Sequence, residues 1–298
     1  MVWLENLKGR VRFKEPLSKY TSFKIGGAAS VLFEPKDTED LINCLRQAKK
    51  NKIPYLVIGN GTNLLISDKG FKGIVIKLTS PFFKRISLKN NILTVGAGVG
   101  VPQLIKYLTK TKSSGYEFLT GIPGSIGGAA VMNAGVTVDN KRWEMSDIID
   151  KVGVLNKRGQ ILNLSKRKLK FGYRKSNLKK YIILEVRLKL NRDDKKSIRS
   201  RIEYFLSCRN MRQDISKPSA GCIFKNPSVY LSAGALIDRC GLKGRRFGGA
   251  MISHKHANFI LNFNRATAND VVKLIQLAKR KVRNNFGIGL TEEIKIVF

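Results

Sequence analysis

Cys222 sits in the stretch PSAGCIFKNP, between small residues and an apolar pair, with Lys225 and Asn226 close behind. A thiol so placed is a buried filler, half of a disulfide, a metal ligand or a reacting group. The other cysteines, Cys44, Cys208 and Cys240, lie far apart and no C-x-x-C pair occurs, so neither a disulfide framework nor a zinc ribbon is expected. The two histidines, His254 and His256, flank Lys255 and match no closed tetrahedral pattern with the cysteines; no metal site is expected. Two glycine loops offer a different chemistry. GNGTN at 59–63 follows an apolar strand directly, and GIPGSIGGAAVMNAG at 121–135 holds five glycines. Small residues let backbone N–H groups approach a ligand and gather into anion-holding nests, and Thr62, Asn63, Ser125 and Asn133 stand ready to assist. Taken singly such loops are mostly turns. Two of them in one basic chain point equally toward a cofactor that contains a diphosphate.

Other fingerprints are missing. GAGVG at 96–100 has Val101 where a dinucleotide-binding loop needs its third glycine, so it reads as a strand-terminating turn. There is no G-x-x-x-x-G-K-[ST] and no G-x-S-x-G, which excludes a P-loop and argues against an α/β-hydrolase nucleophile elbow.

The elements that must carry these loops can be read from periodicity. Residues 37–50 form a helix with Asp37 as N-cap, acidic residues in the first turn and lysines in the last. Strands are expected at 55–58, in GIVIKL at 73–78 and in ILTVGAG at 92–98, with a second helix at 101–110 that tolerates Pro102 in its first turn. Residues 147–190 are strand-rich, with a hairpin turning at 156–159, and 191–196 is a polar break. Thr267 and Asp270 cap an amphipathic helix that stops at Gly287, and EEIKIVF at 292–298 alternates like a strand.

At 298 residues, 43% hydrophobic and 26% charged, the chain is a folded protein of two or three modules. No apolar run approaches the roughly 18 residues a membrane helix needs, and the opening residues lack the basic and apolar regions of a signal peptide. A cytoplasmic protein with no membrane role is expected. The net charge of +35, from 56 Lys and Arg against 21 Asp and Glu, attracts polyanions. The basic residues are scattered, so surface charge is the default reading, nucleic acid is not expected as the main partner, and a small anionic substrate or cofactor is favoured.

YTSFKIGGAA (20–29), GNGTNLLI (59–66), FLTGIPGSIGGAAVMNAG (118–135), FGYRKS (171–176), PSAGCIFKNP (218–227) and LTEEIKIV (290–297) come in a telling order and spacing. Together they resemble the UDP-N-acetylenolpyruvoylglucosamine reductase family, also called UDP-N-acetylmuramate dehydrogenases, over nearly the whole chain. The shorter class fits, because the space between Arg174 and Cys222 has no room for the longer class's extra substrate loop. The resemblance implies an α+β architecture: an FAD-binding, vanillyl-alcohol-oxidase-type fold of two subdomains, 1–77 and 78–205, and a smaller α+β substrate-binding domain, 206–298. It implies FAD held without a covalent bond, since neither glycine loop contains histidine, with NADPH as hydride donor and UDP-N-acetylglucosamine-enolpyruvate as substrate. The chain is expected to be a monomer.

By the same resemblance the cofactor lies against Asn60, Gly61, Thr62, Asn63 and Leu64, and against Gly121, Pro123, Gly124, Ser125, Gly128, Ala129, Asn133 and Gly135. In the reaction the resemblance implies, hydride reaches C3 of the enolpyruvyl ether and leaves an enolate-like charge. Arg174 matches the family's arginine and is able to grip a planar carboxylate with both arms. The family usually has serine where this chain has Cys222, a departure that keeps a proton donor; with a reference pKa of about 8.5 the thiol is mostly protonated at neutral pH. Glu293 matches the family's glutamate, and in an alternating strand Glu292 would face the other way. Asn226, Arg209 and His256 are carried over as substrate contacts. Two competing readings make distinct predictions. An FAD oxidase of the same fold would produce hydrogen peroxide, and a basic RNA-binding protein would be colourless with strongly salt-dependent polyanion affinity.

Overall fold

Alternating, β-branched sequence between residues 86 and 189 builds one antiparallel five-stranded sheet, in the order Ile161–Ser165, Ile149–Leu155, Ile182–Lys189, Ile92–Gly96, Ile86–Lys89. The structure, a computed structural model, describes residues 2–298; Met1, where both the N-terminal leader reading and the first expected domain begin, lies outside the described residues. The hairpin expected at 156–159 forms because the Asn156 carboxamide oxygen accepts from the N–H groups of Arg158 (2.8 Å) and Gln160 (3.0 Å), a turn made by the side chain itself. A second sheet orders Arg10–Pro16, Ala28–Glu34, Phe71–Lys77 and Tyr55–Ile58, the last two parallel.

The chain gathers into two units. The first comprises the residues up to Phe13, Val31–Asn60 and Gly73–Arg209. Its helices begin with α1 (Thr38–Lys50), where the Asp37 carboxylate accepts from the Asp40 N–H at 3.0 Å and Leu41, Cys44 and Ala48 face the core. Helix α2 (Val101–Lys110) follows the 96–100 turn, with Gly100 as its N-cap and Pro102 in its first turn. Helix α3 (Ile126–Met132) lies inside the second glycine stretch, which is therefore not a loop throughout, and α4 (Met145–Ile148) is a single turn. Helix α5 (Lys195–Arg212) begins within the expected polar break, where Asp194 accepts from the N–H groups of Lys196 and Ser197 at 2.9 and 3.0 Å. Only Ile198, Phe205 and Cys208 of its residues are buried, so the apolar stripe that would announce it is almost absent.

The second unit comprises Lys14–Ser30, Gly61–Lys72 and Asn210–Phe298. Here α6 (Ala233–Arg239) is capped by Ser232, and α7 (Ala268–Phe286) has the Thr267/Asp270 capping box and ends on left-handed Gly287. Both pack with Phe23, Ile25, Leu65, Ile223 and Phe224 in one core. Arg246–Phe247, Ala250–Ile252 and Ile260–Asn262 form a small antiparallel sheet, and Leu64–Ile66 runs parallel to Lys295–Val297. The strand expected over 292–298 is thus shorter, and Glu292 and Glu293 precede it. Both glutamates instead lie against residues 223–224: Glu292 bridges Phe224, and the Glu293 N–H donates to the carbonyl of Ile223. No helix of the described residues is long and apolar enough to cross a membrane.

Candidate active site

In the first unit, the two glycine-rich stretches are tied by a side chain: the Asn60 carboxamide donates to the carbonyl of Pro123 at 2.9 Å. The second stretch is fastened to the 96–101 turn, since the Ile126 N–H donates to Val99 and the Val101 N–H to Gly124. Ser125 caps α3 by accepting from the Gly128 N–H at 3.3 Å. Gly121 takes a φ of +80°, and a Cβ there would stand 2.6 Å from Cδ of Arg209, which lies across it. Arg209, carried over as a substrate contact, is thus placed against this stretch.

The residues proposed for the cofactor fall into two groups by exposure. Gly121, Pro123 and Gly128 are exposed and Asn60 is half-buried, whereas Gly124, Ser125, Ala129, Asn133 and Gly135 are buried. Asn133 ends α3 in the left-handed region (φ +46°) and is fully buried. Its carboxamide donates to Glu144 Oε2 (2.9 Å) and to the carbonyl of Gly172 (3.2 Å), and accepts from the Ser146 N–H (2.9 Å). Asn133 shapes the stretch from behind.

Arg174 occupies the turn of a two-stranded hairpin, Phe171–Gly172 with Lys175–Ser176. Its φ of +53° is unusual for a residue with a long side chain. Its Nη2 donates to the carbonyl of Gly135 at 2.9 Å, which fastens the guanidinium to the end of the glycine stretch. Strained backbone held by surrounding structure is a common mark of a functional position.

In the second unit, Gly61 takes a φ of +66° and passes so close to Tyr20 that any Cβ would meet the Tyr20 carbonyl oxygen. The Ser22 N–H donates to the Gly61 carbonyl at 3.2 Å. The 20–29 stretch therefore supports the first glycine loop from beneath, a role that its own sequence does not announce. Thr62, Asn63 and Leu64 follow, half-buried. The Asn63 carboxamide donates to the carbonyl of Glu293 at 3.2 Å, and the Lys295 N–H donates to the carbonyl of Asn63 at 3.0 Å.

Cys222, half-buried, opens a short extended segment held by isolated bridges on both sides. On one side Cys222 bridges Phe259 and the Ile223 N–H donates to Asn258; on the other Phe224 bridges Glu292, the Lys225 N–H donates to Thr291 and the Glu293 N–H donates to Ile223 at 2.7 Å. Cys222 and Glu293 are thus carried on paired backbone. Glu292 is held apart by an ion pair with Lys279 at 2.9 Å.

Asn226 and His256 meet at the start of α6. The Asn226 carboxamide oxygen accepts from the Ala233 N–H at 3.1 Å, and a Cβ on Gly234 would lie 3.2 Å from Cε1 of His256. The imidazole packs on the Phe259 ring, with centroids 4.8 Å apart. Burial pushes its pKa below the ordinary histidine value, and Nδ1 accepts from the Asn258 N–H at 3.2 Å. The neutral ring then carries its proton on Nε2 and presents a donor.

The donor set fits a bound diphosphate. The stretches 59–66 and 118–135 contain no aspartate or glutamate, and offer peptide groups bare of Cβ beside hydroxyl and carboxamide groups. Among the described residues no group of three or more His, Cys, Asp or Glu is placed to hold a metal ion.

Comparison with known proteins shows what the chain is similar to. Residues 29–165 match a family model described as an FAD binding domain, and residues 213–297 match one described as the C-terminal domain of UDP-N-acetylenolpyruvoylglucosamine reductase. The chain is 40% identical over 292 residues to the UDP-N-acetylenolpyruvoylglucosamine reductase of Caldanaerobacter subterraneus subsp. tengcongensis, covering 97% of this chain and 94% of that one. It is 39% identical over 297 residues to the enzyme of the same name from Clostridium tetani, covering 99% and 94%. The crystal structure of UDP-N-acetylenolpyruvylglucosamine reductase from Thermus caldophilus superposes with a TM-score of 0.82 at 37% identity, over 98% of this chain and 100% of that one. A 6-hydroxy-D-nicotine oxidase from Arthrobacter nicotinovorans shares the fold alone, with a TM-score of 0.50 at 17% identity over 63% of this chain and 43% of the oxidase.

Proposed function

Because this chain belongs to the UDP-N-acetylenolpyruvoylglucosamine reductase family, FAD-binding oxidoreductases of peptidoglycan synthesis, we propose that it reduces the enolpyruvyl group of UDP-N-acetylglucosamine-enolpyruvate to UDP-N-acetylmuramate at the expense of NADPH. The fold is α+β, of the FAD-binding type with a further α+β part. Within it we assign residues 1–77 and 78–205 to the two FAD-binding subdomains and 206–298 to the UDP-sugar domain. The protein acts as a cytoplasmic monomer in this reading.

FAD, when bound, would supply the redox chemistry that links NADPH to C3 of the enolpyruvyl ether. Asn60, Thr62, Asn63 and Leu64, with Gly121, Pro123 and Gly128, would hold it without a covalent bond. Gly61, Gly124, Ser125, Ala129, Asn133 and Gly135 keep that surface in shape. Arg174 binds the substrate carboxylate and offsets the negative charge that develops on it, the kind of preorganised stabilisation that usually contributes most to catalysis. Cys222 gives its proton to C2, and Glu293 completes the proton-handling set. Asn226, Arg209 and the Nε2–H of His256 address the uridine diphosphate. The surplus of positive charge draws in both anionic reactants.

The observation that carries the reading is the pairing of residue 223 with Glu293 at 2.7 Å, which puts the proposed acid and the proposed glutamate on adjoining backbone, with Asn63 of the first glycine loop on the carbonyl of that glutamate. Its test is oxidation of NADPH by the FAD-loaded protein. The reading expects oxidation that depends on UDP-N-acetylglucosamine-enolpyruvate and yields no hydrogen peroxide; peroxide formation without that substrate would overturn it.

A further inference from the structure

On one side, the extended segment that carries Cys222 is held partly by a side chain in place of backbone pairing. After the Ile223 N–H donates to the carbonyl of Asn258 at 2.9 Å, the ladder on that side passes to a side chain. Oδ1 of Asn258 accepts from the Phe224 N–H at 2.9 Å, and Nδ2 donates to the Phe224 carbonyl at 2.8 Å. The carboxamide closes a ring on the N–H and C=O of one residue, offering one acceptor and one donor as a neighbouring strand would. Asn258 is 2% exposed and Phe224 1%, so water does not replace either bond. The N–H of the same residue reaches Nδ1 of His256. One residue therefore touches both the strand of the proposed proton donor and the ring of a proposed substrate contact.

We propose that Asn258 is a positioning residue for the reduction, holding Cys222 at its working distance from substrate through the carboxamide clamp on Phe224. The inference rests on the reading of Cys222 as proton donor. Aspartate in its place keeps the acceptor for the Phe224 N–H but sets a carboxylate oxygen against the Phe224 carbonyl. Leucine, close in size, provides neither partner. Both changes break the carboxamide clamp on Phe224 while leaving in place the Cys222–Phe259 bridge, the Ile223 N–H bond to the Asn258 carbonyl and the pairing with 291–293, so Cys222 is held less firmly without being altered itself.

The test uses full-length, FAD-loaded Asn258→Leu and Asn258→Asp, with two readouts. Under anaerobic conditions, flavin reduction by NADPH is expected within about twofold of wild type, while reoxidation by UDP-N-acetylglucosamine-enolpyruvate slows at least about tenfold, the scale of a displaced reacting group. Separately, alkylation of Cys222 by iodoacetamide, followed by peptide mass, is expected to change severalfold in rate. Equal slowing of both half-reactions would mark a merely structural role and overturn the proposal. So would wild-type reoxidation together with an unchanged alkylation rate in a variant that retains flavin. If Asn258→Leu does not fold, Asn258→Asp decides. If wild-type flavin is not reoxidised by the substrate, the functional reading fails, whereas an altered Cys222 alkylation rate still supports the clamp.

Discussion

The side chain of Asn63 donates to the backbone carbonyl of Glu293 at 3.2 Å, joining positions 230 residues apart in the chain. Parallel pairing of Leu64–Ile66 with Lys295–Val297 continues from that bond. Glutamate position and glycine-loop position are thus set by one joint. Asn63→Leu is expected to weaken FAD binding and slow turnover together, each by about tenfold, the scale of one lost hydrogen bond in a site that excludes water. Flavin-fluorescence titration and steady-state rates check this; a loss in one without the other would separate the two roles.

Arg174 combines a strained backbone with the charge the mechanism needs. Arg174→Gly relieves the left-handed conformation while removing the guanidinium. The variant is expected to unfold at the same or a higher temperature than wild type, yet to lose about 10²–10³ in kcat/KM. Arg174→Lys keeps a charge but not the planar fork, and is expected to recover only a small part of that loss. Activity near wild type in Arg174→Gly would remove this residue from the reaction.

His256 makes a pH prediction. Burial lowers its pKa in the folded protein, so the unfolded chain takes up the proton first as the solution is acidified. The stability contributed by neutral His256 is complete above about pH 6.5, the unfolded value, and declines as pH falls from there through the folded pKa. Protonation at Nδ1 also opposes the Asn258 N–H that donates to it. His256→Gln, which does not titrate, is expected to lose less thermal stability than wild type between about pH 7.5 and about pH 5.5. Parallel losses in the two proteins would mean that the imidazole is not buried as described.

Local sequence carries some of this architecture and not the rest. Helix α1, helix α7 and the 156–159 hairpin are legible because their caps and turn residues act within a few positions: Asp37 on Asp40, Thr267 with Asp270, Asn156 on Arg158. Helix α5 is not, because only three of its residues are buried while Tyr204, Leu206 and Met211 stand exposed, so its apolar residues form no single stripe. Helix α3 hides within small residues that also suit a loop. The short extent of the last strand depends on 291–293 pairing with 223–225, a contact no periodicity in either segment reveals. For the proposed site, Cys222, Arg174 and Glu293 rest on motif order. The burial of Asn133 depends on Glu144 and Gly172, and the support of Gly61 on Tyr20 and Ser22, all partners remote in sequence. Asn258 is invisible for the same reason, since its carboxamide finds Phe224 only in the folded chain.

The proposed role of Cys222, proton donor after hydride transfer, is tested by one anaerobic measurement of both half-reactions in wild type, Cys222→Ser and Cys222→Ala. Wild-type flavin is expected to bleach with NADPH and to return on addition of UDP-N-acetylglucosamine-enolpyruvate. Cys222→Ser should do both. Cys222→Ala should be reduced by NADPH at close to the wild-type rate but reoxidised about 10²–10⁴ times more slowly, the usual contribution of a general acid. Equal loss in the two half-reactions, or reoxidation of Cys222→Ala at the wild-type rate, would contradict it.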